Sequence, residues 1–282
     1  MSWSTRGPRH LLGAMGMNEW ELRLLLDRAD AISGGEAPQT LLDGQIVVLG
    51  SDRRVPPAWD AAVLRIGGRP VHVALAGTID AMATQVDALA PSLAVLSHAQ
   101  VGVPSRIARR LSGPVIGAGD GAREDLPGAV AAALAVRRAL GGIEGRHIAL
   151  VGNVARSALA RSALIFLGAL GARLRLVAPS ALLPSGAEVM GAAVHADPRS
   201  GLADTDAAIV LSSIAAVAAP NAVALDVDWM TDRRQIAAFC GDAVLIGRVA
   251  TGTGGGTMPT DPSAYDVPVM MAMILSCLEG AR

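Results

Sequence analysis

The sequence predicts an α/β fold of two doubly wound parallel-sheet domains, with a C-terminal helix that returns to the first domain. Short apolar runs of strand length alternate with helical stretches, and this alternation restarts after the Gly-Gly pair at 141–142. With 282 residues, 51% of them hydrophobic, the chain is long enough to bury two cores. The predicted divisions are a first domain at 1–141, a second at 142–265 and the final helix at 266–282.

The individual elements follow from spacing and from residues that end helices and strands. Asn18 and Glu21 form a capping pair for a helix that places Leu22, Leu25 and Leu26 on one face. Further helices are predicted at 127–140, 157–170 and 267–278. Buried parallel strands are predicted at 46–49, 71–75, 93–96 and 115–116 in the first domain, and at 147–151, 174–177, 207–211, 223–225 and 244–246 in the second.

Charge and cysteine content exclude several classes of function. The net charge is −1, and the 24 basic residues, all of them Arg, are scattered along the chain. We therefore expect no nucleic-acid partner, and a lysine Schiff base is excluded. The apolar runs are too short to cross a bilayer and no signal peptide is evident, so we expect a cytoplasmic protein that does not bind a membrane. The two cysteines, Cys240 and Cys277, suit a reducing compartment and offer no zinc spacing.

Several segments in collinear order resemble a known family. Residues 114–121 (PVIGAGDG) are similar to the proline-valine-isoleucine-asparagine-alanine-glycine-aspartate-glycine signature of aspartate carbamoyltransferases. Residues 97–100 (SHAQ) resemble the arginine-histidine-proline-glutamine turn of that family. The opening helix, the Arg-Ile-Gly-Gly run at 65–68 and the start of the second domain at 145–152 resemble it too. The resemblance covers roughly residues 10–180 and implies a carbamoyl-phosphate domain followed by an aspartate domain.

The departures from the family fall on the residues that would bind carbamoyl phosphate. The serine-threonine-arginine-threonine-arginine loop of the family corresponds to 52–56 (DRRVP), in which Arg54 alone is retained. Ser97 stands where the resemblance implies a phosphate-binding arginine, and a hydroxyl cannot replace a forked guanidinium donor. The carbonyl-polarising histidine of a histidine-proline-threonine-glutamine motif corresponds to Asp125. No lysine-bearing loop follows the strand at 71–75.

The aspartate-binding positions depart as well. Ala158 occupies the place of an arginine, and 211–214 (LSSI) replaces the arginine-containing strand end that would hold the amino acid. The histidine-proline-glycine-proline loop corresponds to 247–250 (GRVA). The glycine-rich stretch 252–256 is interpreted either as a linker or as a loop whose backbone amides bind phosphate. It lacks the Lys-Ser/Thr of a Walker loop. No dinucleotide fingerprint follows the strand at 147–151, so no cofactor is expected.

Two interpretations of the remaining polar residues stay open. Arg53 and Arg54 before a helix start could bind an anion, or they could be an ordinary exposed arginine pair. His98 could be a catalyst or a turn residue, and Asp120 is interpreted as a turn-forming aspartate. The candidate residues are Arg53 and Arg54 for an anion site, and His98, Gln100, Asp125 and Arg248 for a ligand cleft.

These departures favour a non-catalytic paralogue with a structural or regulatory role in an oligomer. The resemblance implies a homo-oligomer, most simply a trimer, and a hetero-oligomer with another protein is the other possibility. The alternatives are an enzyme of the same fold with altered substrate and chemistry, and ordinary carbamoyl transfer. Fold alone does not decide among them, because function depends on the site.

Overall fold

The computed structural model of the chain describes residues 10–36, 42–184, 186–211, 236, 239–247 and 261–279. The chain divides into two compact units, Met1–Val130 with Ala264–Arg282 as unit 1, and Ala131–Ser263 as unit 2. The first division falls inside a long helix, Leu126–Leu140, whereas the sequence placed it after that helix. The larger part of this helix, from Ala131 onward, therefore belongs to unit 2.

Unit 1 is built on a four-stranded parallel sheet of order β2-β1-β3-β4. Its strands are β1 (Ile46–Ser51), β2 (Arg69–Ala74), β3 (Leu93–His98) and β4 (Val115–Asp120). Its helices are α1 (Glu19–Ser33), α2 (Pro57–Arg65), α3 (Ile79–Asp87), α4 (Val103–Ala108) and the start of α5 (Leu126–Leu140). The C-terminal helix, here α8 (Asp266–Glu279), packs against α1 and α2.

Local chemistry explains why these elements form where they do. Asn18 caps α1 and exchanges hydrogen bonds with Glu21, which completes the predicted capping box. The apolar residues of β1 and β3 are buried, as expected for central parallel strands covered by helices. Arg28 of α1 donates to Ser276 Oγ of α8 at 2.9 Å, which joins the C-terminal helix to the first one.

Unit 2 contains a five-stranded parallel sheet of order β7-β6-β5-β8-β9. Its strands are β5 (His147–Val151), β6 (Arg173–Val177), β7 (Ala192–His195), β8 (Ala207–Val210) and β9 (Val244–Ile246), and its other described helices are α6 (Ala158–Ala169) and α7 (Pro198–Leu202), with short 3-10 turns between them. Strands β5 and β8 are buried between their neighbours, with Leu150 and Ile209 almost fully covered.

The predicted fold class of two parallel-sheet domains with a C-terminal helix is confirmed. Strand β7 and helix α7 were missed because 192–202 lacks a sustained apolar run, and only part of β7 is buried. The predicted strand at 223–225 lies outside the described residues. In the part of the chain that the structure describes, no helix is long and apolar enough to span a membrane.

Candidate functional site

The candidate site of unit 1 lies where β1, β3 and β4 end. The register pairs Ser51 with Ser97 and His98 with Asp120, so the carboxyl ends of these three strands meet at one edge of the sheet. In open parallel sheets this edge is the usual place for ligands. Arg53 and Arg54 come just after β1, His98 is the last residue of β3, and Gln100 lies two residues beyond it.

Asp52, the first residue after β1, uses its carboxylate to hold the loop that follows β3. Its Oδ1 and Oδ2 accept the Ala99 N–H at 3.2 and 3.1 Å. Its Oδ2 also lies 3.8 Å from His98 Nδ1. The side chain of Asp52 is 22% exposed and the residue as a whole is exposed, so this carboxylate remains partly open to solvent. The Asp52 carboxylate thus accepts the Ala99 N–H, a hydrogen-bond donor that an external anion could otherwise use.

His98 is held as part of a turn. Its Nδ1 accepts the Gln100 N–H at 2.9 Å, which requires a lone pair on Nδ1 and places the proton of the neutral ring on Nε2. While this hydrogen bond is kept, the 3.8 Å approach to Asp52 is not an ion pair between opposite charges. Gln100 itself is exposed, and its contribution to this contact comes from the main chain.

Arg53 and Arg54 line a pocket of about 370 Å³ beside the end of β1. Ser51 Oγ accepts the Arg53 N–H at 3.1 Å and thereby fixes the start of the loop. Among the described residues, no carboxylate lies within ion-pair distance of either guanidinium group. The pocket is lined by Leu49, Ser51, Asp52, Arg53, Arg54, Val55, His72, Val73 and Ala74.

The start of α2 beside this pocket offers few amide donors. Pro56 and Pro57 have no N–H, and the Trp59 N–H donates to Pro56 O at 3.1 Å. The N-terminus of a helix attracts anions mainly through such free amides, so this helix start is a weak anion site. Because both prolines are visible in the sequence, this weakness could have been predicted from it.

A histidine that sequence reasoning missed forms one wall of the pocket. His72 Nε2 on β2 lies 2.7 Å from Asp60 Oδ1 on α2. The imidazole is 53% exposed and the carboxylate 32% exposed. Neither residue stands out in the sequence, because only the packing of α2 against β2 brings them together.

Asp120 and the glycines around it shape the turn after β4. The buried Asp120 carboxylate accepts the Gly102 N–H at 2.5 Å and so orients the start of α4. Gly121 has φ +57°, and a Cβ there would lie 2.6 Å from Ala99 O. Gly119 has φ +156° and lies beside Ser97 Oγ, which a Cβ would approach to 3.1 Å. The Asp120 carboxylate therefore holds the loop after β3 instead of making the local turn bond that the sequence suggested, and the turn itself is closed by main-chain hydrogen bonds between Asp120 and residues 123 and 124.

The remaining predicted residues are placed as follows. Asp125 precedes α5, and its Oδ1 accepts the Gly128 N–H at 3.0 Å, the geometry of an N-cap. Arg248, like the stretch 252–256, lies outside the described residues. The structure therefore brings Arg53, Arg54 and His98 to one sheet edge.

At the corresponding edge of unit 2, the described side chains after β5 make local hydrogen bonds. After β5, the buried Asn153 accepts the Arg156 N–H at 3.3 Å through Oδ1. Ser157 caps α6 by accepting the Ala160 N–H at 3.0 Å. Ala158 then follows at the position where the resemblance implies an arginine. In the described part of either unit, no group of three or more His, Cys, Asp or Glu side chains could hold a metal ion.

The chain has clear relatives among known proteins, although no family model matches it. It is 36% identical to the aspartate carbamoyltransferase catalytic subunit of Methylorubrum extorquens over 218 residues, which cover 72% of this chain and 69% of that protein. The catalytic subunit from Beijerinckia indica is also 36% identical, over 217 residues that cover 72% and 68%.

Solved structures agree with this relationship at the level of the fold. Aspartate transcarbamoylase from Trypanosoma cruzi, in complex with carbamoyl aspartate and phosphate, superposes with a TM-score of 0.79 at 20% identity, covering 96% of both chains. Ornithine carbamoyltransferase from Thermus thermophilus gives a TM-score of 0.80 at 17% identity, covering 97% of this chain and 100% of that one. On the strength of its similarity to the two catalytic subunits and of this shared fold, the chain belongs to the aspartate/ornithine carbamoyltransferase family.

Proposed function

We propose that this chain is a non-catalytic member of the family with a structural or regulatory role in an oligomer. The observation that carries the proposal is the Asp52 carboxylate, which follows β1 and accepts the Ala99 N–H through both oxygens. The resemblance places the first serine of the phosphate-binding loop at this position. A negative charge there opposes the binding of a phosphate dianion.

Free-energy estimates support the same conclusion. Each charge-assisted hydrogen bond to a phosphate contributes about 1.5–3 kcal/mol, and the resemblance implies that several such donors are replaced. Asp52 adds repulsion of about 3 kcal/mol for a single charge at ~5 Å and an effective dielectric of ~20, and its partial exposure reduces this figure. Since about 1.4 kcal/mol is tenfold in affinity, the combined loss is several orders of magnitude.

Two further features support the loss of carbamoyl transfer. The α2 start lacks the amide donors of Pro56 and Pro57, which weakens the helix contribution to anion binding. Asp125 stands where the resemblance implies the carbonyl-polarising histidine, and its carboxylate is engaged as the cap of α5. An acceptor that caps a helix cannot donate a hydrogen bond to a developing oxyanion.

The activity test compares this protein with the Methylorubrum extorquens catalytic subunit. Binding of carbamoyl phosphate is measured by calorimetry, and carbamoyl aspartate is measured by a colorimetric assay at saturating aspartate. We expect no saturation at millimolar carbamoyl phosphate and no turnover above background. Micromolar binding, or turnover within about a hundredfold of the active relative, would contradict the proposal.

We also propose that the protein assembles as a homo-oligomer, most simply a trimer, in the cytoplasm. The names of its relatives as catalytic subunits support assembly, and the two buried cysteines, which are not joined in a disulfide, suit a reducing compartment. Light scattering should give about three times the 28.7 kDa chain mass. A monomer at micromolar concentration would contradict the homo-oligomer. Co-purification of a second protein from the native host would support the hetero-oligomer instead.

An enzyme with altered chemistry is the second candidate, and the pocket beside Arg53 and Arg54 favours it. Two guanidinium groups without carboxylate partners among the described residues can hold a small anion. A thermal-shift screen of small carboxylates, with the double variant Arg53→Ala/Arg54→Ala as control, tests this candidate. Stabilisation that the double variant loses, together with turnover of the same compound, would favour it over the non-catalytic function.

A further inference from the structure

The Asp52 carboxylate is in the position of a bound anion that the protein itself supplies. Both oxygens accept the same main-chain donor, Ala99 N–H, at 3.2 and 3.1 Å. The residue also lines the pocket of about 370 Å³ together with Arg53 and Arg54. The Asp52 carboxylate therefore accepts the Ala99 amide at the sheet edge. Its negative charge also lowers the net positive charge of the adjoining pocket.

The charges that face the pocket can be counted from its lining. Arg53 and Arg54 contribute two positive charges, and Asp52 contributes one negative charge. His72 also lines the pocket, and its Nε2 lies 2.7 Å from the Asp60 carboxylate, so this pair adds no net positive charge. Coulomb energy is proportional to ligand charge, so the repulsion from Asp52 weakens the binding of a phosphate dianion about twice as much, in free energy, as the binding of a monoanion.

We propose that Asp52 determines the specificity of this pocket by acting as a built-in anion that weakens the binding of phosphate dianions more than the binding of small monoanions. The proposal rests on the proposed function, since it explains why a pocket that keeps Arg54 and adds Arg53 does not bind carbamoyl phosphate. Its consequence is a gain of function. Removing the carboxylate removes its repulsion and leaves both arginines available to a dianion.

The experiment measures binding of inorganic phosphate at about pH 8, where it is mainly a dianion, by calorimetry. Acetate serves as the monoanion probe. Asp52→Ser removes both the charge and the long side chain, and Asp52→Asn removes the charge but keeps an oxygen that can accept the Ala99 N–H. Asp87→Ser is the matched control, because this exposed aspartate at the end of α3 gives the same change in net charge.

We expect phosphate to bind about tenfold to a hundredfold more tightly to Asp52→Ser than to the unsubstituted protein. Asp52→Asn should give a similar gain, since it removes the same charge. The gain for acetate should be about the square root of the gain for phosphate, because the Coulomb energy is proportional to ligand charge. The double variant Asp52→Ser/Arg54→Ala should lose the gain.

Three results would overturn the inference. The first is equal phosphate affinity in Asp52→Ser, Asp52→Asn and the unsubstituted protein. The second is an equal gain in Asp87→Ser, which would assign the effect to net charge. The third is an equal gain for acetate and phosphate. If Asp52→Ser fails to fold, Asp52→Asn carries the test. Formation of carbamoyl aspartate by the unsubstituted protein would instead contradict the proposed function, so the two failures are distinguishable.

Discussion

Replacing Gly121 with Ala should destabilise unit 1 strongly, because this turn needs a residue without a side chain. The backbone at Gly121 has φ +57°, which costs an L-residue about 1–2 kcal/mol. The added Cβ would also lie 2.6 Å from Ala99 O and 3.3 Å from Val101 N. Relief of that contact requires a shift of the backbone, and overpacking of this kind costs about 1–3 kcal/mol. The expected loss is therefore about 2–5 kcal/mol.

Two other glycines in unit 1 allow the cost of backbone strain to be measured apart from the cost of the steric contact. Gly77 has φ +96°, and a Cβ added there would have nothing within 4 Å, so Gly77→Ala should cost about 1–2 kcal/mol from backbone strain alone. Gly16 has open space and no positive φ, so Gly16→Ala should change stability by less than about 1 kcal/mol. The difference between Gly121→Ala and Gly77→Ala then measures the steric contact with Ala99.

Urea unfolding provides the assay, followed by tryptophan fluorescence and circular dichroism. Trp59 is 1% exposed in unit 1 and therefore reports the loss of that core. A loss of about 2–5 kcal/mol is a large share of the roughly 5–15 kcal/mol that stabilises a typical domain. If Gly121→Ala unfolds at the same urea concentration as Gly16→Ala, the reasoning from φ and from the Ala99 contact is wrong.

Two further predictions concern a helix cap and a buried thiol. Asp125→Ala should lower the free energy of unfolding by about 0.5–2 kcal/mol, because the Gly128 N–H loses its acceptor, whereas Asp125→Ser should retain most of it; equal urea midpoints for both variants would contradict the cap. Burial raises the pKa of the Cys240 thiol to about 11 from an ordinary value of 9.0. Stability should therefore be full below about pH 9 and fall as the pH rises toward about 11, because the unfolded chain ionises this thiol first. Unfolding measured across that range should show a shallower fall in Cys240→Ala, and an identical pH profile would refute the assignment.

Local chemistry made much of the fold predictable from sequence. The Asn18 and Glu21 cap depends on residues three apart, and the apolar runs at 46–49 and 93–96 are typical of strands buried on both faces. Strand β7, Ala192–His195, was not predicted because a short, partly exposed strand at a sheet edge has little apolar signal. The positive φ of Gly121 is a tertiary feature, because the turn after β4 packs against Ala99 of the loop after β3.

The candidate site was predictable only in part. Order along the chain is enough to predict that Arg53 and Arg54 follow a strand, and the family resemblance implies that carboxylates replace donors at positions 52 and 125. The hydrogen bonds from the Ala99 amide to Asp52 could not be predicted in this way, because they require the register of β1 with β3. The same holds for His72 and Asp60, which meet through the packing of a helix on a strand. Hydrogen bonds depend on positions within a few tenths of an ångström, and such positions are set by the packed sheet rather than by neighbours in sequence.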